Sequence, residues 1–214
     1  MSNSLRGDDW HGAPGAVDRF NGSTRETCLS QLTTVFLDRD GVINENRGEH
    51  VKSWSEFQFI PGAREAIARL SRHGVRVFVV SNQAIINRVI VSSADVEAIN
   101  AAMVREIEKF GGRIDGIAYC PHRSDEGCAC RKPQPGLLLK LATDYGIDLR
   151  QSLLIGDSVS DLEAGRAAGC ATVLVLTGRG RDQMNGAFAS GRPCSPIGSD
   201  LMAIADLVLG ASTD

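Results

Sequence analysis

The sequence has little of what a nucleic-acid or membrane protein needs. Aromatic residues make up only 5% of 214, too few for a platform that stacks single-stranded bases. There is no basic excess: 23 Lys and Arg against 26 Asp and Glu leave a net charge of −3, so neither nucleic acid nor an anionic membrane is expected as partner. No apolar run approaches the roughly 18 residues that cross a bilayer. No C-x-x-C pair occurs among the six cysteines, which removes the usual dithiol redox motif. Residues 1–30 offer only Leu5, Val17, Phe20 and Leu29 as aliphatic or phenylalanine anchors. So little burial cannot offset the entropy of ordering the segment, and a flexible N-terminal arm is expected there. No apolar stretch of the secretory kind follows the start, so the expected location is a reducing cytoplasm and the expected state a monomer.

What is present is an ordinary globular balance, 43% apolar and 23% charged residues, in a length that suits one domain, taken as residues 31–210. Strand-like runs at Thr33–Leu37, Val75–Val80, Ile114–Tyr119, Ser152–Ile155 and Thr172–Leu176 alternate with helical spacing from Pro61 to Leu70, Ser93 to Phe110, Gly136 to Tyr145 and Asp161 to Ala168. This alternation predicts an α/β fold, a Rossmann-like three-layer sandwich with a mainly parallel sheet. The connections Asn44–Pro61 and Gln83–Ile114 are too short for a large cap domain. The stretch 178–199, with five glycines and two prolines, reads as a long polar surface loop.

In parallel sheets ligands gather beyond the carboxyl ends of strands, and four such ends are polar. The first strand runs into Asp38-Arg39-Asp40-Gly41-Val42-Ile43-Asn44, where two carboxylates two apart suit a metal-assisted nucleophile and a proton carrier; a solvated turn is the alternative. Ser81-Asn82-Gln83 offers a hydroxyl and two amides for phosphate oxygens, or a cap. Arg131-Lys132-Pro133 holds two cations at a stiff turn, with a solvated pair as the alternative. Gly156-Asp157-Ser158-Val159-Ser160-Asp161 places two acids where a strand meets a helix. Between the second and third of these lie Cys120-x-His122 and Cys128-x-Cys130, three thiolates and one imidazole. A closed Cys₃His set is typical of structural, tetrahedral zinc and leaves no position for water, so a zinc-stabilised loop over 120–130 is expected. Unligated cysteines are the alternative.

In this order the motifs DxDG, a small hydroxyl residue, Lys and GDxxxD resemble the haloacid-dehalogenase-like (HAD) phosphotransferases over about Val35 to Leu176. FLDRDGVIN, SNQ, the Cys/His loop and CRKPQPG are similar to the D-glycero-D-manno-heptose 1,7-bisphosphate 7-phosphatases, and much of the pattern is shared by histidinol-phosphate phosphatases. The resemblance implies a phosphomonoester hydrolase acting on a small phosphorylated sugar, a heptose 1,7-bisphosphate, through an aspartyl-phosphate. It implies Asp38 as nucleophile and Asp40 as general acid and base. It also implies Mg²⁺ on Asp38, the Asp40 carbonyl and Asp157, with Ser81 and Lys132 on the phosphoryl oxygens. Asp161 would orient Lys132 or the metal-binding loop. Asn46, Asn82, Gln83, Arg88 and Arg131 are the expected substrate contacts. Histidinol phosphate is the alternative substrate, and a non-catalytic zinc-stabilised binding protein the alternative class. One segment departs from the pattern: where the heptose enzymes usually read Ser-Gly-Ile-Ala-Arg-Gly after SNQ, this chain has Ala84-Ile85-Ile86-Asn87-Arg88-Val89, without either glycine.

Overall fold

Each run read as a strand pairs into one sheet. A computed structural model of the chain describes residues 32–189 and 196–210, with side chains omitted at 187–189; the expected arm, 1–30, lies outside them. The strands are β1 (Thr34–Leu37), β2 (Arg76–Asn82), β3 (Gly116–Cys120), β4 (Ser152–Gly156), β5 (Ala171–Val175) and β6 (Ile197–Gly198). They lie in the order β3-β2-β1-β4-β5-β6, and every pairing is parallel.

Side chains alternate across a strand, so each strand feeds two layers. Val35, Leu37, Val77, Val79, Leu153, Ile155, Val173 and Val175 are buried with the apolar faces of α1 (Ala63–Arg72), α2 (Ser93–Lys109) and α6 (Leu201–Leu209). Phe36, Phe78, Val80 and Leu154 are buried on the other side with α3 (Gly136–Tyr145) and α4 (Val159–Ala168). A sheet covered on both faces explains why its strands read as unbroken apolar runs. The helices begin where the sequence supplies caps. Ser92 and Asp95 form a capping box at α2, and the Asp200 carboxylate accepts from the Ala203 N–H at α6, 2.9 Å; both satisfy donors a helix start leaves unpaired.

The polar stretch expected as a loop over 178–199 is corrected in part. Gly180–Ala189 forms a helix, α5, and Ile197–Gly198 adds β6 to the sheet edge. Gly180 and Gly186 each weaken helix propensity by about 1 kcal/mol, and a two-residue strand is too short to show a period. No helix among the described residues is long and apolar enough to cross a membrane. Nor do the described β1–β2 and β2–β3 connections hold a separate cap: the first contains one 3₁₀ turn, Trp54–Glu56, before the packed helix α1, and the second is mostly α2.

The chain leaves β1 toward β2 and β3, then crosses to β4 on the other side of β1. The carboxyl ends of β1 and β4 therefore flank the switch in strand order, where such sheets open a crevice. Two non-glycine residues near it adopt left-handed backbone: His50 (φ 64°) and Val89 (φ 57°). Val89 stands where the resembled enzymes usually have glycine, and its side chain is 90% exposed, so no packing compensates. A left-handed β-branched residue costs about 1–2 kcal/mol, more than the roughly 0.5–1 kcal/mol of backbone entropy that glycine brings. Val89→Gly is accordingly expected to raise unfolding stability by about 0.5–1 kcal/mol in a denaturant titration, with Val89→Ala gaining less; a loss with Val89→Gly contradicts the strain.

Candidate active site

Asp38 ends β1, its N–H donating to the Ile155 carbonyl of β4 at 3.0 Å. The chain then turns sharply. The Arg39 carbonyl accepts from the N–H groups of Ile43 and Asn44 at 2.9 and 3.1 Å, and Gly41 sits at φ 92°. Gly41 and Gly178 (φ 56°) both lie against the Asp157 carboxylate, at a distance no Cβ could share. Only backbone without a side chain lets that carboxylate reach the end of β1. Thr177 ties the two turns, its hydroxyl donating to the Gly41 carbonyl at 2.6 Å.

Carboxylate oxygens of Asp38, Asp157 and Asp161 lie within 4.8 Å of one another, and all three residues are largely buried. Among the described residues, one cation reaches into this cluster. Lys132, only 4% exposed, pairs through Nζ with Asp38 Oδ1 at 2.9 Å and with Asp161 Oδ1, and donates to the Val80 carbonyl at 2.8 Å. The other Asp161 oxygen accepts from the Ser158 N–H at 3.1 Å, the N-cap of α4. Asp161 thus orients Lys132 and closes the helix at once. Burial, with repulsion from Asp161 and Asp40, pushes Asp38 up to about 6 against the pull of Lys132. Burial and the Asp38 charge likewise push Asp157 up to about 6. Burial opposes the Lys132 charge, yet Asp161 and Asp38 outweigh it and keep the ammonium protonated.

Asp40 lives in a different field. Burial raises its carboxyl, but the Arg39 guanidinium and hydrogen bonds outweigh that and hold it below the usual range. Arg39 Nη2 lies 3.2 and 3.1 Å from its two oxygens. Asn44 Nδ2 donates to Oδ1 at 2.9 Å and Gln83 Nε2 to Oδ2 at 2.8 Å. Gln83 Nε2 also donates to the Ser81 hydroxyl at 2.8 Å. That occupies a lone pair of Ser81 Oγ and leaves its proton to be given elsewhere.

The expected substrate contacts divide. Asn82 and Gln83 are turned to the protein. Asn82 holds the Lys132 backbone from both sides, Nδ2 to the carbonyl at 3.0 Å and Oδ1 from the N–H at 3.1 Å, and Gln83 is 3% exposed. Both side chains position catalytic candidates, because their amides find buried partners. Asn46 reaches Asp157 Oδ2 at 3.4 Å, and the Arg179 N–H donates to the same oxygen at 2.8 Å. Arg88 is exposed, with Nη1 3.4 Å from His50 Nε2. Next to it Asn87 donates to Glu126 at 2.7 Å, joining this segment to the cysteine loop. The Arg131 guanidinium donates to the His122 carbonyl at 3.0 Å. Sequence reasoning gave no role to Arg39 or Asn100, which meet through Nη1 and Oδ1 at 3.1 Å. A readable signal existed: Asn100 falls on the buried stripe of Val96, Ile99 and Met103, where helical spacing calls for an apolar residue.

Cys120, His122, Cys128 and Cys130 converge. Sγ and Nδ1 separations are 3.4 Å for Cys120–His122, 3.6 Å for Cys120–Cys128, 3.3 Å for His122–Cys130, 3.2 Å for Cys120–Cys130 and 3.5 Å for Cys128–Cys130. These are far longer than a disulfide and close to the edge of about 3.7 Å that a tetrahedron of thiolates about 2.3 Å from zinc would have. Burial pushes the Cys120 thiol up to about 12. Cys128 is held at about 7 despite burial, chiefly by the Arg131 N–H, which donates to its sulfur at 3.3 Å. The donor set fits zinc.

The HAD-hydrolase-like family matches residues 129–197. A D-glycero-β-D-manno-heptose-1,7-bisphosphate 7-phosphatase of Pseudomonas aeruginosa is 42% identical over 175 residues, 82% of this chain and 97% of that protein. A D-glycero-α-D-manno-heptose-1,7-bisphosphate 7-phosphatase of Mycobacterium tuberculosis is 38% identical over 148 residues, 66% of this chain and 78% of that one. Among solved structures, the heptose 1,7-bisphosphate phosphatase of Bordetella bronchiseptica, complexed with magnesium and phosphate, superposes with a TM-score of 0.80 at 39% identity, covering 85% of this chain and all of that one. With an acid cluster built at the switch point of a parallel sheet and relatives matched over most of their length, the chain belongs to the heptose 1,7-bisphosphate 7-phosphatases of the HAD-like hydrolases.

Proposed function

We propose that this chain removes the 7-phosphate of a D-glycero-D-manno-heptose 1,7-bisphosphate, as a monomer in a reducing compartment where its clustered thiols survive. The observation that carries the reading is the Asp38–Lys132–Asp161 network beside Asp157 and Asp40, in a chain 42% identical to such an enzyme over nearly all of that enzyme's length. Relatives acting on the β and on the α anomer both match, and cleavage at the 7-position is what they share.

Asp38 attacks phosphorus with its ionised carboxylate, and the bond between phosphorus and the sugar oxygen breaks as an aspartyl-phosphate forms. Asp40, held low and ionised in the free site, takes a proton from the entering phosphate monoester and gives it to the departing sugar oxygen. It then takes one from the water that hydrolyses the intermediate, and that proton leaves with the product phosphate. The Ser81 hydroxyl, its proton left free by Gln83, holds the phosphoryl oxygens as charge moves among them. The Lys132 ammonium joins it, its donor to Asp38 released as that carboxylate bonds phosphorus. Asp38, Asp157 and the Asp40 carbonyl supply hard oxygen ligands for Mg²⁺, with room left for water. When bound, the ion offsets the repulsion between carboxylate and phosphate. Asp161 stays with Lys132 and the start of α4. Cys120, His122, Cys128 and Cys130 would hold Zn²⁺, which would fix the loop leading directly into Arg131 and Lys132.

Phosphate release measured over a panel of sugar phosphates with histidinol phosphate tests the substrate: the heptose 1,7-bisphosphate is expected to give the highest kcat/KM. On it, Asp38→Asn is expected to lower kcat at least about a thousandfold with the fold intact; a change under about tenfold contradicts the covalent route. For the loop, metal analysis is expected to find about one zinc per chain, and Cys128→Ser to lower both zinc content and unfolding stability. Fully active protein without zinc contradicts that role.

A further inference from the structure

We propose that Arg39 and Asn100 form a clamp that positions Asp40, the proton carrier of the reaction proposed above, a reaction on which this inference rests. Arg39 is 1% exposed, and burying a guanidinium is costly unless each face of its charge is met. It meets Asp40 through one nitrogen only: Nη2 lies 3.2 Å from Oδ1 and 3.1 Å from Oδ2. An unconstrained arginine prefers the two-nitrogen fork to a carboxylate. Here the second nitrogen, Nη1, is committed to Asn100 Oδ1 at 3.1 Å.

Asn100 is itself 6% exposed and sits on α2, 61 residues along the chain, so the guanidinium plane is fixed by an element outside the loop that carries Asp40. With Nη1 held there, the Nη1–Nη2 fork is closed to Asp40, and Nε makes no bond to the carboxylate. Asn44 and Gln83 take one further lone pair on each Asp40 oxygen, at 2.9 and 2.8 Å. The carboxylate is thereby gripped from three sides, while its side chain keeps 25% exposure. The clamp leaves open the side from which a leaving oxygen can be reached. General acid–base catalysis needs that geometry within a few tenths of an ångström. Arg39 and Asn100 touch no substrate in this scheme; they are positioning residues.

The test uses two substrates that differ in their need for a proton. A heptose 1,7-bisphosphate loses a sugar alkoxide that must be protonated, whereas p-nitrophenyl phosphate loses a phenolate that leaves unaided. Asn100→Leu is expected to lower kcat on the bisphosphate about tenfold or more with KM within about twofold. On the aryl phosphate, kcat/KM is expected to stay within about threefold. If Asn100→Leu does not fold, Asn100→Ser, too short to reach Arg39, reads the same ratio. Equal losses on both substrates, a raised KM with kcat unchanged, or no loss at all overturn the clamp. A wild-type chain that hydrolyses neither phosphate overturns the function first, and the clamp with it.

Discussion

Three buried carboxylates face a single buried ammonium, and most of the site follows from that imbalance. Lys132 divides its three donors among Asp38, Asp161 and the Val80 carbonyl, which leaves Asp157 with hydrogen bonds but, among the described residues, no cation of its own. Burying these acids is unfavourable, and packing them this closely adds to it, as the raised carboxyls of Asp38 and Asp157 show. A structure keeps such an arrangement when another positive charge enters it. The glycines at 41 and 178 serve the same end, since a side chain at either would displace the Asp157 carboxylate.

The sheet topology decides where this happens. Asp38 and Asp157 follow neighbouring strands, β1 and β4, on the two sides of the strand-order switch. Lys132 comes from farther away, on the loop after β3, and needs two devices to arrive. Asn82 at the end of β2 grips its backbone, and the Cys/His cluster fixes the residues immediately before it. The 84–90 segment is tied on two sides: Asn87 reaches the cysteine loop through Glu126, and Arg88 reaches the 45–50 segment through His50. Substitutions in 84–90 would therefore be felt in both of those segments.

The sequence carried most of this in readable form, for physical reasons that differ between elements. Strands buried on both faces appear as β-branched runs, so β1, β2, β4 and β5 were found close to their true ends. Asp38 and Asp157 stood out as polar residues that end such runs, whereas Lys132, on a loop well past β3, was marked only by the order of motifs it shares with the resembled family. Helix α5 was hidden by its glycines, and β6 by its two-residue length. Asn82 and Gln83 were assigned to substrate because an amide side chain carries no mark of which way it faces; only the fold shows both turned inward. Arg39 was passed over since a lone arginine in a loop usually points to water, and nothing local reveals that α2 brings Asn100 to meet it.

The most direct test of the charge imbalance is the stabilisation by Mg²⁺ as a function of pH. In the folded chain Asp38 and Asp157 hold their protons up to about 6, above their usual value of 3.8. Folding with these groups ionised is therefore unfavourable at neutral pH, and that penalty fades as pH falls through about 6. A divalent ion that binds the ionised cluster should stabilise most where the penalty is largest and compete with protons below it. The expected result is a clear rise in Tm on adding Mg²⁺ at pH 7.5 and a much smaller one at pH 5.5, with Asp157→Asn abolishing most of the difference. An equal rise at both pH values, or none at either, would contradict an acid cluster built to receive a cation.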